Sequence, residues 1–443
     1  MKRKGFRLFG AALLLAALAS AGAASGQEAA SNSVRRFDAE AATRAYLARM
    51  TPEKKARSDA YFEGGYWLRL WEFLYAVAVA WLLLWLGWSA WMRNFAEQAV
   101  RQRALQTFIY WALYATVTAL LIFPLTVYRD FYREHEYGLA TQTFGPWFGD
   151  RLKELAISVI LGGVTVVVLY GILRRAPRTW WIWGSLTATL LLAVSFLIAP
   201  LYIFPLFNKY TRPQDETIRG PILSLARANG IPARDVFVSD ASRQTTRISA
   251  NVSGLFGTER ITLNDNLLKR CSLPEIEAVL GHEMGHYVLH HLYKGIVFLG
   301  ILIVIGFALL RSAFDAMSRR HGRRWGVRGV ADPAGMPVFA ILISCYLFVL
   351  TPVTNSITRV QEAEADIFGL NASHQPDGFA EIALKLSEYR KLDPTPLEEF
   401  LLFDHPSGRA RIFAAMRWKA EQGKTPAPVA PSPQPSPGGR GGS

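Results

Sequence analysis

Six long runs with almost no charge dominate the pattern of apolar and polar positions, at residues 71–92, 108–128, 155–173, 180–203, 293–310 and 336–353. Each is near or above the roughly 18 apolar residues that a bilayer-spanning helix needs. Tryptophan and tyrosine crowd several of the ends, as interfacial anchors do. Six such runs are too many for buried helices of a soluble protein. The pattern therefore predicts a predominantly α, polytopic membrane protein.

The polar stretches divide the rest. Lys2, Arg3, Lys4 and Arg7 precede an apolar segment and small residues, so residues 1–23 read as a signal peptide or a short first span. A charged extramembrane segment is expected over 24–66 and four transmembrane helices over 67–205. A soluble segment follows at 206–292, where a helix over 218–228 mixes with strand-like runs at 236–238, 246–252 and 260–263. A transmembrane hairpin with a basic loop is expected over 293–354, and a polar helical part over 355–420. The Pro/Gly/Ser-rich tail, 421–443, reads as disordered.

Charge and cysteine usage narrow the classes. The net charge of +14 sits beside the spans rather than on one soluble face, which suits membrane-surface charge and argues against nucleic acid as a partner. The short basic loops place the 206–292 segment outside, whereas the basic stretch 35–57 prefers the opposite orientation. There are two cysteines, Cys271 and Cys345, the second inside an apolar run, so neither a disulfide framework nor a cysteine metal site is expected.

The chemistry concentrates in residues 272–291, SLPEIEAVLGHEMGHYVLHH. Ser272 with Glu275 is a capping-box pattern, Pro274 lies in the first turn, and Ile276, Val279, Leu280, Met284 and Val288 keep helical spacing. On that helix His282 and His286 share a face and can hold one zinc ion, while Glu283 can polarise a water there. His290 lies two turns from His282, about 12 Å along the axis, too far to join the same ion. A catalytic zinc needs a third protein ligand and an open position. An antiparallel pair of spans after the motif returns Glu362 to the same membrane side, which makes it the candidate. Asp366, one turn on, can accept the N–H of a ligating imidazole and fix its tautomer. Glu364 points about 200° away from Glu362 and is the poor choice.

Taken together, His282-Glu283-Met284-Gly285-His286, then Asn355, Arg359 and Glu362-Ala363-Glu364-Ala365-Asp366, then His405-Pro406-Ser407 ahead of Arg411-Ile412, resemble the integral-membrane zinc proteases of the type I C-a-a-X prenyl endopeptidase family. HtpX-like membrane proteases resemble it more distantly. The likeness runs in order over residues 61–412, with Thr358 where the family usually has Ser. It implies a helical barrel around a chamber, with a small α/β zinc-metalloprotease subdomain at one end. It also implies one Zn2+ per chain on His282, His286 and Glu362, with Glu283 as general base and acid. His405 and Arg411 would stabilise the oxyanion, and Asp366 and Arg359 would support the ligands. Asn251 and Gly254 would face the substrate backbone. The expected activity is zinc metalloendopeptidase, acting on membrane-associated or misfolded peptides in the bacterial inner membrane, with the lipid bilayer as its other partner. The competing reading is a non-proteolytic membrane factor with a structural zinc. Oligomeric state is not legible.

Overall fold

The computed structural model describes residues 37–213, 215–254 and 259–423, so the signal-like segment over 1–23 and all but the first three residues of the 421–443 tail lie outside it. Helix α1 (Ala39–Leu47) starts where Asp38 accepts the N–H groups of Glu40 and Ala41. Helix α2 (Pro52–Trp85) starts at a Thr51 cap with Pro52 in its first turn, the position where a missing N–H costs nothing. It runs through residue 66, so the expected border between an extramembrane segment and the first span falls in mid-helix. The apolar run over 71–92 is also broken. Gly87 takes a left-handed φ of 70°, which a glycine tolerates without a Cβ clash, and α3 (Trp88–Ala99) sets off in a new direction.

Helices α4 (Arg103–Glu136), α5 (Phe144–Arg175) and α6 (Trp180–Leu206) follow, each carrying a π-turn. After the polar segment come α10 (His291–Trp325) and α11 (Met336–Ser373). Among the described residues six helices are long and apolar enough to cross a membrane: α2, α4, α5, α6, α10 and the one containing α11. Their apolar side chains point outward. Leu120 is 68% exposed, Val297 61% and Val349 74%, a surface that hydrocarbon accepts and water does not. The basic linker expected after the fifth span is mostly helix. Arginine is a good helix former, and α10 continues to Trp325 before Gly326 ends it in the left-handed region.

Between α6 and α10 lie β1 (Tyr210–Thr211), α7 (Glu216–Ala228), β2 (Val236–Ser239), β3 (Ala250–Ser253), β4 (Arg260–Asn264), α8 (Asp265–Arg270) and α9 (Leu273–Val288). The strands form one sheet in the order β1-β2-β4-β3, with β2 and β4 parallel and the outer pairs antiparallel. Two-residue β1 is too short to leave a periodic trace in sequence, and the run expected over 246–252 becomes strand only from Ala250, as edge strand β3 (Ala250–Ser253). The sheet, α7 and α9 share one core. Ile222, Val236, Ile261, Leu263, Leu280 and Met284 are all fully buried there, each contributing about 1.5–3 kcal/mol.

Three more helices complete the chain: α12 (Pro376–Leu386), α13 (Pro396–Leu402) and α14 (Gly408–Gln422). Leu370, Phe379, Ile412, Ala415 and Met416 join α11, α12 and α14 in a second core, and Ala42 and Tyr46 of α1 pack against it. The Arg49–Glu381 ion pair and the Tyr46 hydroxyl, donating to Asp377 at 2.9 Å, fasten the N-terminal helix to α12.

Candidate metal centre

Helix α9 begins at the capping box read from sequence, with the Ser272 N–H donating to Glu275 Oε2 at 2.6 Å. Lys385 of α12 pairs with the other oxygen of Glu275 at 2.6 Å. Burial pushes the Glu275 carboxyl up, but Lys385 and the Ser272 donors together outweigh it and hold it below its ordinary value. The helix then lies almost backbone to backbone against α11. A Cβ on Gly281 would sit 2.9 Å from Gly369 O, and one on Gly369 would sit 2.7 Å from His282 N. Gly285 faces Ala365 in the same way, at 3.1 Å from its Cα. Small residues on both helices allow this approach, and it carries Glu362 to the two histidines.

His282 Nε2 and His286 Nε2 lie 3.1 Å apart. Glu362 closes the triangle, with Oε2 3.2 Å from His282 Nε2 and Oε1 3.4 Å from His286 Nε2. Glu362 Oε2 is buried without a properly directed hydrogen bond, although two imidazole nitrogens lie near it. These contacts, one carboxylate oxygen to each imidazole, are close to the edge of about 3.3 Å in a tetrahedron with bonds of about 2.0–2.1 Å. Two nitrogens and one carboxylate oxygen around a shared point fit a metal cation better than they fit one another.

Behind His282 the support is ionic and sealed. Its Nδ1 lies 2.7 Å from Asp366 Oδ1, and Arg411 grips the same carboxylate through Nε at 2.9 Å and Nη2 at 2.5 Å. This bidentate pair fixes the proton on Nδ1 and leaves Nε2 for the cation. Arg411, the candidate for oxyanion stabilisation, commits two of its donors to Asp366 behind the ligand and also lines the cavity shared by Glu283 and His405.

Burial lowers the His282 pKa, but the hydrogen bonds to Asp366 and then Glu362 outweigh it and hold the ring up at about 9. Burial, then His282, pushes His286 down to about 4, so that it offers a lone pair. Burial likewise pushes the Glu283 carboxyl up to about 7, with a smaller opposing pull from His282. A carboxylate so tuned is a suitable proton acceptor near neutral pH.

The remaining sequence candidates are dispersed around this centre. Glu283, His282, Glu362, His405 and Arg411 line one cavity of about 150 Å³. His405 Nε2 is 3.2 Å from Glu362 Oε2, and its Nδ1 is 2.8 Å from Asp404 Oδ1. Arg359, expected beside the ligands, instead donates to the carbonyls of Glu399 and Phe403 at 2.7 and 2.6 Å. It and Asn355, which donates to Leu401 O, hold the segment that delivers His405. Gly254 lines a second cavity, of about 450 Å³, shared with His286 and Gln361. Asn251 lines neither of these two, because strand alternation sends Ala250 and Val252 to the core side. Edge strand β3 itself borders both cavities, through Ala250 on one side and Val252 and Ser253 on the other.

Sequence reasoning missed His291, Glu364, Lys294 and Arg390. Arg390 lines the 150 Å³ cavity, with Nη2 3.4 Å from His405 Nε2. His291 stands behind His286, with its Nδ1 2.9 Å from His286 Nδ1. The second of the paired histidines in the string HYVLHH was the only available signal for it.

Two family models match the chain: the five-membrane-helix N-terminal region of CAAX prenyl proteases over residues 37–209, and peptidase family M48 over residues 213–419. An uncharacterised metalloprotease of Bacillus subtilis, YhfN, is 28% identical over 82% of this chain and 85% of its own. CAAX prenyl protease 1 of Saccharomyces cerevisiae is 28% identical over 70% of this chain and 72% of its own. The crystal structure of S. mikatae Ste24p shares the fold, with a TM-score of 0.68 and 21% identity over 85% of this chain and 94% of that one.

Proposed function

We propose that this chain, which belongs to peptidase family M48 and is a multi-pass membrane metalloendopeptidase, uses zinc held by His282, His286 and Glu362 to hydrolyse peptides drawn from or near the bilayer. The observation that carries the assignment is the triangle of two Nε2 atoms and one carboxylate, 3.1–3.4 Å on a side, with Glu283 lining the same cavity. When bound, zinc supplies Lewis acidity toward a scissile carbonyl and lowers the pKa of water.

The chain's own residues do the rest. Glu283, held near neutrality by burial, takes a proton from the attacking water and later gives one to the leaving amine. His405 stands against Glu362, where a ring N–H can face the oxygen that gains charge. Asp366 and Arg411 keep His282 in one tautomer throughout. The outer edge of β3, unpaired among the described strands, supports an added peptide strand whose backbone pairs with Ala250–Ser253, crossing from the larger cavity to the smaller.

Substrate class and location go further than the family. CAAX prenyl protease 1 is a relative by name, and 28% identity leaves its substrate preference open for this chain. We favour membrane-associated or misfolded peptides as substrates, and the bacterial inner membrane as the site of action. The test is cleavage of fluorescence-quenched peptides, prenylated and unprenylated, by detergent-purified enzyme with and without chelator. Chelator-sensitive cleavage of both forms is expected. Cleavage of the prenylated form alone would replace this substrate reading with prenyl-peptide processing.

A further inference from the structure

The second ligand histidine is backed by a relay outside the Glu283, Asp366 and Arg411 set. His286 Nδ1 lies 2.9 Å from His291 Nδ1, His291 Nε2 lies 3.0 Å from Glu364 Oε2, and Lys294 Nζ reaches the same oxygen at 3.0 Å. The proton positions follow from the role of His286. A neutral imidazole that offers Nε2 to a cation carries its proton on Nδ1. That N–H donates to His291 Nδ1, which places the proton of His291 on Nε2, where it donates to Glu364. Every donor meets an acceptor in one direction. The reverse polarity would turn the lone pair of His286 away from the cluster.

The backbone is bent to make this contact. Along an unbroken helix His291 would point about 140° from His286, five residues away. His290 sits instead in the left-handed region at φ 57°, an uncommon conformation for a residue with a Cβ. This break ends α9 and starts α10, and it swings the His291 ring, whose side chain is 4% exposed, back onto His286.

Resting on the metal-site reading above, we infer that His291 is a positioning residue for the metal: it fixes the tautomer and orientation of His286, with Glu364 fixing His291 in turn. The test is zinc affinity of the detergent-purified protein, measured by competition with a chromophoric chelator. His291→Phe should lose about 10–100-fold in affinity, the usual cost of removing such a partner. His291→Asn places an amide oxygen where Nδ1 stands and should recover most of that loss, whereas His291→Gln, whose oxygen falls nearer the Nε2 position, should not.

Glu364→Gln should weaken binding in the native background and have no further effect in His291→Asn, which has no ring to orient. A purely structural role would lower the metal-free melting temperature of Phe and Asn variants alike without separating their affinities. Equal affinities for the Phe and Asn variants, or native affinity in His291→Phe, would overturn the inference. His286→Ala separates the two levels: zinc retained there would overturn the metal site itself, whatever His291 does.

Discussion

The two histidines of one helix, a single turn apart, are supported in opposite ways. Behind His282 stand Asp366 and Arg411, with side chains 5% and 9% exposed and a bidentate ion pair between them. Behind His286 stands a neutral ring, and the charges that follow it, Glu364 and Lys294, are 44% and 45% exposed. Buried charge depends on its partner, because removing one member strands the other in a low dielectric. Exposed charge is screened and replaceable by water. One side of the centre is thus tied to the stability of the fold, and the other adjusts the ligand at little cost to the fold.

The widest separation is expected from a matched pair of truncations. Asp366→Ala leaves Arg411 buried without its carboxylate and should cost about 3–5 kcal/mol in denaturant unfolding. Glu364→Ala should cost less than about 1 kcal/mol. Equal losses would remove the distinction.

A second pair probes the helix seam that sets the ligand spacing. Gly369→Ala forces a Cβ to 2.7 Å from His282 N, and overpacking of this kind costs about 1–3 kcal/mol and should weaken metal binding as Glu362 is pushed away. Gly65→Ala within α2 meets nothing within 4 Å and should instead stabilise by about 0.5–1 kcal/mol. A seam that accepts Gly369→Ala with unchanged metal affinity would show that close helix approach does not position the site.

The smallest effect concerns the start of α9. Glu275 has a folded-state pKa below its unfolded value, so its contribution is present above the ordinary carboxylate pKa of about 4.3 and is lost as pH falls through the lower folded one. Glu275→Gln should therefore reduce stability at neutral pH and flatten the acid limb of a melting-temperature profile. An acid limb unchanged by the substitution would contradict the ion pair with Lys385.

What sequence shows of this site is whatever is local or periodic. The capped helix is legible from Ser272, Glu275 and the spacing of Ile276, Leu280 and Met284. Glu362 is within reach because two spans must bring the chain back to the side it left, a constraint set by the bilayer rather than by side chains.

The missed features depend on geometry that no spacing encodes. Gly87 breaks an apolar run that looks continuous, and α10 absorbs a loop that looks basic and polar. Arg411 and Arg359 are placed by partners 45 and 40 residues away, so the type of side chain says little about which carboxylate or carbonyl it finds. His291 meets His286 only because His290 takes a positive φ, toward which a histidine is biased too weakly to mark the position in sequence. Glu364 shows both outcomes. Its direction correctly separates it from the ligands, and that same direction aims it at His291.

The most direct measurement is metal content and peptide turnover of Glu283→Gln beside the parent enzyme. The substitution keeps the shape of a buried residue and touches none of the three ligands, so one zinc per chain should remain while turnover falls by about 10²–10⁴-fold. Turnover near the parent rate with zinc still bound would remove Glu283 from the chemistry and contradict its assignment as the general base and acid of this centre.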